Sequence, residues 1–308
     1  MLSKSPNVFT PELTPSPSVT SSPSLPPTPD HRPLDLVIAH YNESLAWLSS
    51  CSRLATIYSK GDRPQTSQDN SPVYREVKAL PNWGRESHTY LHHIVHNYDN
   101  LAEVTLFLQG NIHDENNGTP SHTDLTLDEI VGMAKRLTDL PPMLVVGEDQ
   151  LQYQPQGGVL PLGKVNTFSD WDAVVYKDEW VERRGRGLIR SKYTPKQFWN
   201  YIFNGATREQ DASWAEPPTE VRWTQGALFA VTRQTIQRRP KEVYQRMYEY
   251  FDGLMERNPE EGHYMERFWL SIFGSYGLDT QILGDPQARK EEHTGHNFDF
   301  EDEGIFLL

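Results

Sequence analysis

Leu34-Asp35-Leu36-Val37-Ile38-Ala39-His40, followed at once by Tyr41-Asn42-Glu43, is the stretch on which the fold class turns. An apolar run this short, interrupted by a single charge, has the pattern of a strand buried on both faces. The polar triplet marks its carboxyl end. Ser44 to Cys51 then reads as an amphipathic helix with Ser44 or Asn42 as its cap, and Leu54 to Tyr58 as a second strand. Strand, helix and strand at this spacing predict a βαβ unit. In open α/β sheets ligands gather outside the carboxyl ends of the strands, which makes Asn42 and Glu43 candidate binding residues.

The pattern repeats downstream. After Leu80-Pro81-Asn82-Trp83-Gly84-Arg85-Glu86, a helix is predicted from Ser87 to Asn97. A third buried strand, Val104 to Leu108, stops abruptly at Gln109-Gly110-Asn111. Thr126 to Leu137 reads as a helix and Met143 to Val146 as a strand. Arg222 to Arg233 reads as a strand running into a helix, Thr235 to Met255, broken near Pro240; Glu266 to Phe273 is the last helix. Residues 150–218, rich in Gly, Pro and Trp, receive no assignment. Strands alternating with helices predict one α/β domain over residues 34–284, with a mostly parallel central sheet flanked by helices.

Outside that span the composition changes. Residues 1–33 are rich in Pro, Ser and Thr and hold almost no apolar run, so they are expected to be a disordered tail. No apolar stretch of signal-peptide type follows Lys4, and none is long enough to span a membrane. Residues 285–308 form an acidic tail that carries part of the net charge of -13. That charge speaks against general nucleic-acid binding while leaving room for a local basic face. The single cysteine, Cys51, excludes an internal disulfide and is expected in the core. Together these features predict a cytoplasmic enzyme, not a secreted, membrane or structural protein.

Several clusters carry possible chemistry, each with a plainer alternative. His88, His92 and His96 share one helical stripe with His93 beside it, and such spacing can hold zinc. Packing or solvated histidines remain the commoner outcome. Asp99 and Glu103 are carboxylates at i, i+4 spacing, able to bind a guanidinium or share acid–base work; a solvated helix end is the plain alternative. Arg85 and Glu86 stand where they can join Asn42, Glu43, Gln109 and Asn111 in one polar-ligand site, although Asn111 also suits a turn. Arg183, Arg184, Arg186, Arg190 and Lys192, with Lys196 and interleaved Tyr193, Phe198 and Trp199, can contact phosphates or form a solvated surface. No phosphate loop, dinucleotide fingerprint or nucleophile elbow is present.

Two resemblances rest on these residues. Tyr41-Asn42-Glu43, Gly226-Ala227-Leu228-Phe229-Ala230-Val231-Thr232-Arg233 and Met265-Glu266-Arg267-Phe268-Trp269 resemble segments of GT-A nucleotide-sugar glycosyltransferases. Those enzymes carry Asp-x-Asp where this chain has Gln109-Gly110-Asn111, and neutral carboxamides are poor ligands for a hard divalent cation. More closely, His88-Thr89-Tyr90-Leu91-His92-His93-Ile94-Val95, Asn97-Tyr98-Asp99-Asn100-Leu101 and Phe107-Leu108-Gln109-Gly110 resemble a fungal family of arginine-containing cyclodipeptide synthases of secondary metabolism. The likeness spans about Asp35 to Gly274. The Asp-Asp-x-x-Glu motif of the synthases corresponds to Asp99-Asn100-Leu101-Ala102-Glu103, with Asn at the second place.

The second resemblance implies condensation of arginine and another amino acid, delivered as aminoacyl-tRNAs including arginyl-tRNA, into a diketopiperazine. It implies no cofactor and no metal. On that footing Asp99 and Glu103 would bind the guanidinium, His88 would shuttle protons and Glu86 would join the catalytic group. Asn42, Glu43, Arg85, Gln109, Asn111 and Glu266 would line the substrate site. Arg183, Arg184, Arg186, Arg190 and Lys192 would meet tRNA phosphates. A glycosyltransferase with a degenerate metal motif is the alternative.

Overall fold

The computed structural model describes residues 32–64, 72–113, 122–137, 143–146, 151–154, 157–174, 187–203, 216–273 and 280–282. The opening strand is β1, Leu34–His40, and the second is β2, Ala55–Ser59. β3 (Glu76–Ala79), helix α1 (Arg85–Asn97), β4 (Val104–Gln109) and α2 (Leu127–Arg136) follow. Next come β5 (Met143–Val146), β6 (Leu151–Gln154), β7 (Gly157–Pro161), β8 (Val165–Phe168) and α3 (Pro195–Phe203). β9 (Val221–Thr224), β10 (Phe229–Thr232), α4 (Arg233–Gln237), α5 (Lys241–Leu254), α6 (Glu260–Phe273) and β11 (Thr280–Ile282) complete the order.

The chain is an α/β protein with a mostly parallel central sheet flanked by helices. Seven strands pair in the order β11-β7-β10-β4-β1-β2-β3, and β10 alone runs antiparallel to its neighbours. The apolar run of β1 serves both faces, as its pattern requires. Val37 joins one core with Phe107, Phe229 and the inner sides of α1, α3, α5 and α6. Leu36 and Ile38 point the other way, into a second core closed by α2 and the segment after β1. Asp35, the charge inside that run, is fully buried but held by Arg32 and Arg75. The first core is aromatic: Tyr90 meets Phe107, Phe229 and Trp269 with ring centroids 4.9 to 6.0 Å apart. Replacing one such buried ring by Ala typically costs about 3–5 kcal/mol.

Local chemistry moves several expected boundaries. No helix forms over Ser44 to Cys51; two 3-10 turns, Ala46–Leu48 and Ser52–Leu54, stand there. The serines of this segment compete for backbone groups, and the Ser44 hydroxyl accepts from the Ala46 amide at 3.4 Å. The expected single strand from Arg222 divides into β9 and β10, because Gly226 (φ 74°) and Ala227 (φ 52°) turn left-handed between them. The following helix divides at Pro240, which has no amide hydrogen to continue α4. The last helix begins at Glu260, six residues earlier than its apolar pattern suggested, since its first turn buries Glu260 and Glu261 on specific partners. Thr126 caps α2 in a reciprocal capping box with Glu129. Cys51 is half-buried at the edge of the second core, not inside it. Residues 1–31 and 283–308, and with them nearly all of both expected tails, lie outside the described residues. Among the described residues no helix is long and apolar enough to cross a membrane.

Candidate functional site

The carboxyl ends of β1, β2 and β4 open on one edge of the sheet, where two left-handed turns are pinned by charged side chains. The first is Trp83-Gly84-Arg85, at the mouth of α1. Gly84 (φ 57°) and Arg85 (φ 52°) are both left-handed, a strained state for arginine. A Cβ on Gly84 would lie 2.8 Å from the Phe251 ring, so the position also requires glycine for space. Lys60, just past β2, holds the turn: its ammonium donates to the carbonyl of Trp83 at 2.5 Å and to that of Arg85. Burial, and then the charge of Arg85, push Lys60 down to about 7 against the opposing pull of Glu86.

The second turn is Gly226-Ala227, at the start of β10. Glu266 of α6 accepts the Gly226 amide at 2.7 Å, while the Gln109 side chain at the end of β4 donates to the Gly226 carbonyl at 2.8 Å. Both backbone polar groups of one residue are thus held by side chains. The grip explains why a carboxamide stands at position 109: a carboxylate there could only set acceptor against acceptor. The ring of His122 packs so closely on Gly226 that a Cβ would come within 2.7 Å of it.

Glu86 lies between the two turns. It is 6% exposed, and its carboxyl oxygen Oε2 lies 3.4 Å from the Arg85 guanidinium. Its other oxygen, buried, and the hydroxyl of buried Tyr90 have no hydrogen-bond partner among the described residues. Burial raises the Glu86 carboxyl above the usual range; Arg85 opposes the shift and the negative charge of Glu266 adds to it. Arg85 reaches on to Asn258 Oδ1 and to the His263 ring, each at 3.3 Å. His263 is neutral, held well below the usual histidine range by burial and by Arg85 and Arg267. Two carboxylates, two cations and a phenol stand close together here, so their proton affinities are set by one another as much as by their own chemistry.

The residues singled out in the sequence separate into three groups. Arg85 pairs with Glu86, Glu266 is near enough to raise the Glu86 carboxyl, and Gln109 and Glu266 meet at Gly226. Asn42, Glu43 and Asn111 reach the same edge, but as parts of its loops. Asn42 Oδ1 accepts the Asp62 amide at 2.8 Å, and Glu43 Oε2 accepts the Tyr41 amide at 2.7 Å. Asn111 Oδ1 accepts the His113 amide at 3.2 Å, the turn chemistry that its position allowed. His40, Glu43, Ser44, Leu45, Ala46, Pro64, Pro72 and Tyr74 line an open cavity of about 260 Å³ beside β1.

Asp99 and Glu103 are not part of this edge. α1 ends at Asn97, a 3-10 turn covers Tyr98–Asn100, and Leu101 is already extended, so the two carboxylates never share a helical face. Glu103 instead pairs its backbone with Arg32 and Arg233 at the amino end of β4, roughly 20 Å along the strand from Gln109. The Asp99 side chain is 87% exposed and lies 3.9 Å from Lys241.

His88 stacks on Tyr248 at 5.1 Å and faces Asp252 at 3.4 Å. Burial pushes it down to about 3, so the ring is neutral near pH 7. His92 meets Tyr248 Oη at 3.3 Å, His96 bonds the His92 carbonyl at 2.8 Å, and the His92 and His96 rings stack at 4.0 Å, so the stripe gathers around the Tyr248 ring. Among the described residues no group of three His, Cys, Asp or Glu side chains is arranged to hold a metal ion.

Arg190 pairs with buried Glu260 at 2.5 Å, and Lys192 lies over the Tyr193 ring; Arg183, Arg184 and Arg186 lie outside the described residues. Lys60, Tyr90, His122 and His263 were not anticipated. For Lys60 the signal existed: it follows β2 directly and precedes Gly61, the same strand-end position that marked Asn42 and Gln109.

A family model described as Protein of unknown function (DUF3431) matches residues 36–139 and 165–292. The chain belongs to this family. The matched ranges include both pinned turns and Glu86, Gln109 and Glu266, so the whole recess is family sequence. No curated protein and no solved structure matches the chain.

Proposed function

We propose that this member of the DUF3431 family is an arginine-containing cyclodipeptide synthase, joining arginine and a second amino acid from aminoacyl-tRNAs into a diketopiperazine. In the first step the α-amine of one aminoacyl ester attacks the carbonyl of the other, forming a peptide bond and releasing one tRNA hydroxyl. In the second, the free amine of the dipeptidyl ester attacks its own ester carbonyl, closing the six-membered ring and releasing the second tRNA. Two esters become two amides with no change in oxidation state. The chemistry needs placement and removal of a proton from each attacking ammonium, because the ester already carries its leaving group.

The observation that carries this proposal is the buried carboxyl of Glu86, poised between Lys60, Arg85 and Glu266 at the ligand edge of the sheet. A carboxyl raised by burial is a stronger base than an ordinary one, and its partnerless oxygen is placed to take a proton or a cationic group. Glu86 and Glu266 take over the part first given to Asp99 and Glu103. The carboxamide at 109, committed to a backbone carbonyl, supports chemistry that does not run through a metal held at that strand end. Mass spectrometry of a host expressing the gene alone tests the proposal. A new diketopiperazine ion that shifts with labelled arginine is expected, and its absence from cells rich in folded protein would refute it.

One contact favours the GT-A alternative: two of the three segments that carry that resemblance meet in the Glu266–Gly226 hydrogen bond. A GT-A-like enzyme would bind a nucleoside diphosphate more tightly in the presence of manganese. Calorimetry with and without the metal distinguishes the two.

A further inference from the structure

Outside the recess, α3 carries a cluster of tyrosines that is not closed to solvent. Tyr193 and Tyr201 stack with ring centroids 5.2 Å apart and planes 25° apart. Phe198 lies nearly parallel to Tyr201 at 6.3 Å and 12°, and Tyr250 of α5 meets Tyr201 edge-on at 5.3 Å. Tyr201 is 39% exposed, and Tyr193 and Tyr250 are half-buried. The supports of the cluster are fixed. The Ser191 hydroxyl accepts the Tyr193 amide at 2.9 Å, and the Tyr250 hydroxyl donates to Glu261 at 2.6 Å.

The charges around these rings are arranged with cations outward. Lys192 is exposed with its ammonium 5.1 Å above the Tyr193 ring, and Lys196 is exposed on α3 itself. Glu260 and Glu261 are buried beneath, taken up by Arg190, the Ser191 amide and hydroxyl, and Tyr250. Glu249, the exposed acid beside Tyr250, accepts the Gln245 amide at 2.8 Å. The loop carrying Lys192 and Tyr193 is also tied to the recess. Ile189 donates its amide to the Asn258 carbonyl at 3.0 Å, and the Asn258 side chain receives Arg85.

Stacked aromatic faces flanked by lysines, in a protein of net charge -13, fit a ligand that offers both π-faces and negative charge. We infer that Tyr201 and its stacked neighbours are a base-stacking platform for the unpaired 3′ end of an RNA, with Lys192 and Lys196 on its phosphates. The choice of RNA rests on the aminoacyl-tRNA proposal above; the platform itself rests on the rings and cations.

Fluorescence anisotropy of the full chain with a short labelled single-stranded RNA ending in CCA tests the inference. Binding is expected to weaken as salt rises. Tyr201→Ala should weaken it on the order of 10-fold, the loss of one stacked base, whereas Tyr201→Phe should not. Lys192→Glu should weaken it and flatten its salt dependence, while Lys135→Glu, the same charge change on α2, should leave it as it was. If Tyr201→Ala fails to fold, Tyr201→Leu removes the π-face at similar volume and should show the same loss. No binding at low salt, or equal affinity in wild type and the Tyr201 variants, overturns the inference. RNA binding of the expected kind in a protein that makes no diketopiperazine would refute the synthase proposal and leave the platform standing.

Discussion

The two ends of β4 treat charge in opposite ways. At the carboxyl end, Lys60, Glu86, Arg85 and Glu266 are drawn into a recess where each is answered by another charge or a backbone group. At the amino end, Asp99 faces solvent with Lys241 a distant partner, and Glu103 serves through its backbone. Both ends display acids in the sequence, and by spacing alone the amino-end pair looks the better site. Burial reverses that order, because only a desolvated acid has its proton affinity moved far from its ordinary value.

The contrast can be broken most forcefully at Lys60. Lys60→Met leaves the Trp83 and Arg85 carbonyls without their donor and Glu86 with Arg85 as its one remaining neighbouring cation, and should cost about 3 kcal/mol or more in urea unfolding. Lys241→Met, at the other end, should change stability by no more than about 0.5 kcal/mol, since both partners of that pair are solvent-screened. Equal losses would erase the distinction.

Gln109→Glu comes next. A carboxylate facing the Gly226 carbonyl loses the grip on that peptide and leaves two acceptors opposed, a cost of about 2 kcal/mol by the same measurement. Gln109→Met, which removes the bond without the repulsion, should cost less.

Histidines sharpen the comparison through pH. His88, His92, His93 and His263 are all held below the ordinary histidine range, His88 at about 3 and His92 at about 4, chiefly by burial. The unfolded chain takes up these protons near pH 6.5 and the folded chain does not. Their contribution is therefore whole above that value and lost as the pH falls toward the folded values. The unfolding free energy from urea titration should drop steeply between pH 6.5 and 4, by up to about 1.4 kcal/mol per pH unit for each fully buried ring. His88→Leu should shallow that slope. A flat profile would mean that the rings are more solvated than their packing indicates.

The smallest effect is expected from Asn100→Asp, which completes the Asp-Asp-x-x-Glu pattern at the amino end. It should alter stability by less than about 0.5 kcal/mol and leave product formation unchanged.

Much of the fold was legible. The apolar run of β1, interrupted only by Asp35, and that of β4 announced strands buried on both sides, and the polar residues after them marked the carboxyl edge of the sheet. What misled was spacing without knowledge of where a helix stops. Asp99 and Glu103 share a face only if α1 continues past Asn97, and the extended Leu101 ends that possibility. The split between β9 and β10 was hidden because Ala227, unlike Gly226, gives no sign of left-handed backbone. Lys60 was missed because a lysine past a strand usually reads as solvated, and nothing local records that the turn before α1 folds over it.

The central claim is that the carboxyl edge, through Glu86, performs the condensation. The most direct test is the arginine-derived diketopiperazine signal from hosts expressing wild type, Glu86→Gln and Asp99→Ala at matched levels of folded protein. Loss of product in Glu86→Gln with near-normal product in Asp99→Ala is the predicted result. Product retained in Glu86→Gln and lost in Asp99→Ala would place the chemistry at the amino end and contradict the account.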